Sequence, residues 1–302
     1  MTQEMNDDQF AETLFSTKAV SIWDNSKGPV FWYAAGVPGP FYVNTEKVIG
    51  AEVSEFLLAE ISKIVIKVGS LEEKAEFVHN IVMSEYSQNA NFQKIISTLI
   101  SKSRNQFSDS FNCVSGGERR DWFVSIPFAH EMQLDHAFLF KDHSVYTRSV
   151  NGSNPDSVKI LHVADLIHNA ASYFDNWLPA LEQNGLAIVG TACLINRGYA
   201  GIDKLTERGI PTCSLKTIDK VFFEELFKIG LIKKEVFEEL SLYFNAKEEW
   251  ARQYILAKPN LLSANNLDAK SKERLENFLE KDPWKLGITA EQIFTMPIAS
   301  IK

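Results

Sequence analysis

Ile160-Leu161-His162-Val163-Ala164-Asp165-Leu166-Ile167-His168-Asn169-Ala170-Ala171-Ser172 runs from an apolar stretch through a single acid into a polar turn, and the residues after it read as a helix. A helix that opens directly after a strand presents free N–H groups and a favourable dipole to an anion. Asn169 and Ser172 add side-chain donors, and the acid at the strand end suits sugar hydroxyls or a hydrated Mg²⁺. The same residues also describe an ordinary β-to-α turn with Asn169 as its N-cap.

The flanks repeat this alternation. Residues 111–115 form an apolar run ending at Gly116-Gly117, 122–132 a helix, 137–141 a short strand and 159–164 the strand quoted above. Residues 169–184 form a helix closed by Gly185, 186–195 a long buried strand, 202–208 a short helix stopped by Gly209, and 211–215 a last strand. Residues 142–157 are polar, contain Gly152 and Pro155, and read as a long loop. Strands alternating with helices imply a parallel sheet covered on both faces. Ligands of such sheets bind at the carboxyl ends of strands, here after Val114, Lys141 and Val163.

Earlier in the chain, apolar spacing predicts helices over 53–68, 71–85 and 92–101, the second opened by Ser70 with Glu73 three residues on, a capping box. Short β-like runs at 30–33 and 40–45 flank the turn Gly36-Val37-Pro38-Gly39-Pro40. From about 217 the pattern is helical only (221–229, 234–247, 248–256, 270–279), punctuated by Pro259, Pro283 and Pro297. The expected domains are 1–216 and a helical extension over 217–302.

With 302 residues, 45% hydrophobic and 23% charged, the chain can bury a sizeable core. A net charge of -8 argues against general nucleic-acid binding, which draws its affinity from Lys and Arg on phosphates. The acidic start has neither the basic nor the apolar region of a signal peptide, and no apolar run approaches membrane-spanning length. Three scattered cysteines, Cys113, Cys193 and Cys213, suit reduced buried thiols, and a cytoplasmic location is expected. The six histidines show no paired metal-ligand spacing, and His162 on its apolar strand reads as a core residue.

The quoted stretch resembles the signature of the type I phosphoribosyltransferases: four apolar residues, two adjacent acids, two apolar residues, and a Thr/Gly-rich loop ending in Thr or Ser. The strand, the second acid (Asp165) and the final Ser172 match; Ala164 replaces the first acid, and His168-Asn169-Ala170-Ala171 replaces the Thr- and Gly-rich loop. Alanine does not readily take the positive φ that glycine allows, so a more helical loop is expected.

Other segments, in order, resemble the orotate branch of that family. Ala34-Ala35-Gly36-Val37-Pro38-Gly39-Pro40-Phe41-Tyr42 is similar to its N-terminal hood, roughly SGRxSPxY, with Gly36, Pro40 and Tyr42 matching. Asn112-Cys113-Val114-Ser115-Gly116-Gly117-Glu118-Arg119-Arg120 lies where the family has its pyrophosphate loop, and Ile126-Pro127-Phe128-Ala129 resembles the following IPLA. That tract also reads as a solvated Glu-Arg-Arg turn. Phe138-Leu139-Phe140-Lys141-Asp142-His143 resembles the strand leading to the family's catalytic loop, with Phe140 at its usual arginine. Asn196-Arg197-Gly198, then Gly209-Ile210-Pro211-Thr212-Cys213-Ser214-Leu215, is similar to the closing DR and GIPxxSL, with Asn196 for Asp.

The resemblance covers roughly residues 25–220. It implies an α/β, parallel-sheet type I phosphoribosyltransferase fold with a small hood (about 25–50 and 190–215) and a C-terminal helical extension. It also implies roles. Lys141 and Asp165 would be catalytic. Asn169, Ala170, Ala171 and Ser172, with Ser115, Gly116, Gly117, Arg119 and Arg120, would bind the phosphates of phosphoribosyl pyrophosphate (PRPP). Tyr42 and Arg197 would meet the base, and Asp165 would hold Mg²⁺ through water. The expected partner is a small phosphate ester such as PRPP or a nucleotide, bound by a homodimer without nucleic acid or membrane. Two functions stay open: Mg-dependent phosphoribosyl transfer to an orotate-like base, or a catalytically impaired protein of this fold that binds a nucleotide or phosphorylated sugar in a regulatory role.

Overall fold

Amphipathic spacing and capping side chains set the helices along the chain. A computed structural model describes residues 4–24, 29–67, 69–108, 110–149, 158–256 and 267–287. Helix α1 (Asp7–Ser16) opens with a capping box between Asn6 and Gln9 that the sequence reading passed over. Helices α2 (Ala51–Lys67), α3 (Leu71–Gln88) and α4 (Ala90–Phe107) occupy the three stretches expected. Ser70 caps α3 as read, exchanging bonds with Glu73, and this pulls the Glu73 carboxyl below its ordinary pKa. On α4, Phe92, Ile95, Ile96, Leu99, Ile100 and Phe107 recur at helical spacing and are all buried.

The strands are β1 (Val20–Ile22), β2 (Phe31–Trp32), β3 (Pro38–Gly39), β4 (Phe41–Val43), β5 (Cys113–Gly117), β6 (Asp135–Leu139), β7 (Val145–Arg148), β8 (Lys159–Ile167), β9 (Ala187–Asn196) and β10 (Thr212–Thr217). The central sheet runs in the order β10-β9-β8-β5-β6-β7. Neighbouring strands are parallel except β7, which lies antiparallel on β6. Apolar β8 and β9 are interior strands and almost wholly buried, as parallel strands covered on both faces are. The mixed α/β architecture is the one read from the alternation.

Three readings need correction. The polar segment after Lys141 is not all loop, since Val145–Arg148 pairs with β6; residues 150–157, with Gly152 and Pro155, lie outside the described residues. Strand β8 continues to Ile167, so Asp165 sits within it, not beyond its end. The helix expected from 169 starts at 171 and passes through a π-helical turn, Tyr173–Trp177, into α6 (Leu178–Gln183). Val68, Pro259 and Pro297 lie outside the described residues.

Helix α5 (Asp121–Met132) follows β5, α7 (Ala200–Glu207) follows β9, and α8 (Lys220–Lys228), α9 (Lys234–Asn245), α10 (Lys247–Trp250) and α11 (Ala269–Lys281) follow β10. By contacts the chain forms two compact units, one of Met1–Ala19 with Thr45–Phe222, the other of Val20–Asn44 with Phe223–Lys302. The first unit holds the six-stranded sheet and a core containing Cys113, Ile160, Ala164, Tyr173, Trp177 and Cys193. The second unit joins β1–β4 to the late helices through Trp23, Trp32, Trp250, Phe278 and Trp284. In it Trp23 meets Trp250 edge-on at 6.1 Å, and the Arg274 guanidinium donates to the Trp32 carbonyl at 2.8 Å. The hood-like segment around Tyr42 therefore shares a body with the C-terminal helices. No helix among the described residues is long and apolar enough to cross a membrane.

Ser70→Ala removes an N-cap acceptor and leaves the Glu73 amide to water, so the fold should lose about 1 kcal/mol. Urea denaturation checks this, with a lower midpoint expected at an unchanged slope.

Candidate functional site

The C-terminal end of β8 turns into the Tyr173 helix through a short irregular loop. Ala170 adopts φ 57°, the left-handed region that the sequence reading judged difficult for alanine. The turn is held because the Ala170 methyl is buried in the core and its carbonyl accepts from the Tyr173 and Phe174 amides at 3.0 and 3.3 Å. The expectation of a more helical loop is thereby corrected: the reversal stays open. One amide is already engaged, since Ala171 N–H donates to Asn169 Oδ1 at 3.1 Å. Asn169 thus forms a local turn, not the N-cap of the helix; Ser172 stands at the cap position and makes no side-chain capping bond. Gly201 of α7 packs against this loop so closely that a Cβ there would come within 2.4 Å of the His168 carbonyl.

Beside the loop lies a cleft of about 210 Å³, which brings together Asp165, Arg120 and the whole run Asn169 to Ser172. Among its other lining residues are Asp121 and Trp177, to which the sequence reading gave no role. Asp121, in the first turn of α5, accepts from the Asp165 amide through Oδ1 and from the Gly117 amide through Oδ2, each at 3.1 Å. Its Oδ2 also lies 3.6 Å from His162 Nε2, while His162 Nδ1 bonds Ser115 Oγ at 2.9 Å. His162 is fully buried between the Tyr173 and Trp177 rings, a core histidine as read. Burial raises the Asp165 pKa well above the ordinary carboxylate value; the Asp121 charge adds to the rise and Arg120 opposes it.

The remaining assigned residues are placed elsewhere or already engaged. Ser115, Gly116 and Gly117 are buried within β5. A Cβ on Gly117 would meet the Trp177 indole at 2.2 Å and Asp121 Oδ2 at 2.8 Å, so the indole lies directly on that glycine. A Cβ on Gly116 would meet Ser125 Oγ at 2.0 Å, and the Gly116 carbonyl accepts from Trp122 Nε1 at 2.8 Å. The two glycines thus admit side chains from α5 and the π-helical turn, in place of the anion expected from the sequence. Arg119 donates to Ser62 on α2, and Arg120 pairs with the buried Glu46 at 3.2 Å. The Glu118–Arg119 peptide is cis.

Lys141 is exposed after β6, its amide on Glu118 Oε2 at 3.2 Å, while the Phe140 ring is buried against Trp122. Arg197 is half-buried; its amide donates to the Ile167 carbonyl at 2.7 Å. Burial first, and then the Arg197 charge, lower the His168 pKa. Lys141, Arg119 and Arg197 are not among the residues lining the cleft. Tyr42 belongs to the second unit, where its ring lies 5.7 Å from Phe31. Among the described residues no cluster of three or more His, Cys, Asp or Glu side chains is arranged to hold a metal ion.

No protein-family model and no curated protein sequence matches the chain. Solved structures do. A Leishmania donovani UMP synthase superposes on 81% of this chain with a TM-score of 0.55 at 11% identity. This chain spans less than half of that synthase, 43% of its length. Orotate phosphoribosyltransferase from Francisella tularensis superposes on 78% of this chain and 96% of its own, with a TM-score of 0.50 at 10% identity. The fold is accordingly that of the type I phosphoribosyltransferases.

The raised Asp165 pKa has a stability consequence. A carboxyl whose folded pKa lies above its unfolded value favours folding below the unfolded value, about pH 4, and that contribution is lost as pH rises through the folded value. Asp165→Asn, which cannot ionise, should therefore gain stability relative to the wild type as pH is raised from about 4 toward neutrality. Urea midpoints of the two proteins across that range test this; a constant difference would refute the assignment.

Proposed function

We propose that this chain binds a phosphorylated ribose or nucleotide in the β8 cleft and does not transfer the phosphoribosyl group. The observation that carries this reading is the Trp177 indole seated on Gly117, whose amide is taken by Asp121. A pyrophosphate there would need backbone amides and open space, and both are committed to the protein's own side chains. Arg119 and Arg120, the cations nearest in sequence, are engaged with Ser62 and Glu46.

The other half of the cleft keeps what a phosphate ester needs. The Ser172 hydroxyl and the start of the Tyr173 helix offer donors to a terminal phosphate. Asp165 and Asp121 offer acceptors to ribose hydroxyls, so the acid missing at Ala164 is replaced from α5. Two carboxylates without a third protein ligand suit Mg²⁺ held through water and completed by the ligand's own phosphates. When bound, that ion would offset charge between the ligand phosphates and the carboxylates. The likeness to orotate phosphoribosyltransferases supports a phosphoribosyl-type ligand over other phosphate esters.

Isothermal titration of the full chain with PRPP and Mg²⁺, beside a pyrophosphate-release assay with orotate, tests both parts. Saturable binding without pyrophosphate release is expected, with affinity about tenfold weaker, or about 1.4 kcal/mol, in Asp165→Asn. Release of pyrophosphate would overturn the claim that transfer is lost. Failure of PRPP, ribose 5-phosphate and nucleotides alike to bind would overturn the ligand assignment.

A further inference from the structure

Toward the other end of the strands, where β6 begins, lies a second cavity of about 290 Å³ that plays no part in the cleft described above. One wall is apolar, made by Ile126 and Ala129 of α5 with Leu134 after it. The other carries His79 of α3, His130 near the end of α5, His136 of β6 and Arg148 at the end of β7. Four cationic or potentially cationic side chains from four separate elements converge there, with no acid among the lining residues.

His136 is the most informative of them. It is buried, its Nε2 bonds Ser125 Oγ at 2.9 Å, and its Nδ1 has no hydrogen-bond partner among the described residues. A buried ring nitrogen left unpaired costs free energy unless something met on binding satisfies it. Arg148 engages Glu76 through Nε at 2.8 Å, one of the five donors of its fork. Burial, reinforced by neighbouring positive groups, holds the His136 pKa well below its ordinary value. His79 is lowered by burial and by Arg148, against Asn80 and Glu76. The imidazoles bring ring N–H groups beside a guanidinium whose Nε already meets Glu76.

We infer that this cavity is a second ligand site, taking a small organic oxyanion: a carboxylate or phosphate group on Arg148 and the histidines, with a short apolar body against Ile126, Ala129 and Leu134. The lining fits the general form of small-molecule sites, an apolar pocket with a few convergent polar groups. An arginine fork beside imidazole N–H groups is suited to oxygen pairs on one atom. The inference is independent of the ligand assigned to the β8 cleft.

Benzoate and phenyl phosphate are the probes, titrated into the full chain while the histidine ring resonances are followed by NMR. Saturable shifts of His79 and His136 are expected with at least one probe, and the probe that binds identifies the headgroup. Arg148→Gln should weaken binding about tenfold, and so should His130→Ala, an exposed position that leaves the core untouched. Shifts that do not saturate, or that titrate identically in both variants and the wild type, would overturn the site. So would loss of the His79 and His136 shifts in Asp165→Asn, since the probes would then be reporting on the β8 cleft.

Discussion

The Asp121 carboxylate stands where two parallel strands stop holding each other. The β5–β8 ladder pairs Cys113 with Ile160, Val114 with Leu161 and Ser115 with His162. Beyond that pair the Gly117 and Asp165 amides both turn to Asp121, one to each oxygen. A carboxylate accepting two backbone N–H bonds at a helix start is placed well for its own charge and for the strands it joins. It bridges the two strand ends from the first turn of α5, and the next residue, Trp122, donates its indole N–H to the Gly116 carbonyl. One side chain thus ties three elements together at the edge of the candidate cleft.

That arrangement also explains the acid that the sequence lacks. Ala164 is buried in the core with Cys193 and Leu205, so a carboxylate there would face apolar side chains. Asp121 returns a second acid to the cleft from another element, and the His162 ring lies against the same oxygen that holds Gly117. Burial and the neighbouring Asp121 charge raise the Asp165 carboxyl above its ordinary pKa, so the acid supplied from α5 alters the chemistry of the one on β8.

The alternation of strand and helix was legible because it rests on local signals. Apolar runs, the Ser70–Glu73 cap and glycine punctuation each act within a few residues. What escaped depends on partners distant in sequence. Val145–Arg148 carries polar residues at an edge and becomes a strand only against β6. Asp121 reads as one more charge after Glu118-Arg119-Arg120, and nothing local shows that two amides converge on it. Gly116-Gly117 looks like an anion loop until Ser125 and Trp177 are seen occupying its space. The union of the Tyr42 segment with the C-terminal helices rests on pairs such as Trp32 and Arg274, 242 residues apart, which no local pattern announces.

The β8 loop shows how alanine can hold a left-handed turn that glycine would take without strain. A left-handed alanine costs about 1–2 kcal/mol relative to its ordinary conformations. Here that strain is offset by burial of the Ala170 methyl and by two amides converging on its carbonyl. A glycine loop would be free to adjust around a ligand, whereas this one is fixed by its own packing. The Ala171 amide nearest the opening is covered by Asn169 Oδ1, on an exposed side chain. That bond satisfies the Ala171 amide within the loop, so any acceptor arriving at this turn has to displace a side chain that solvent already reaches.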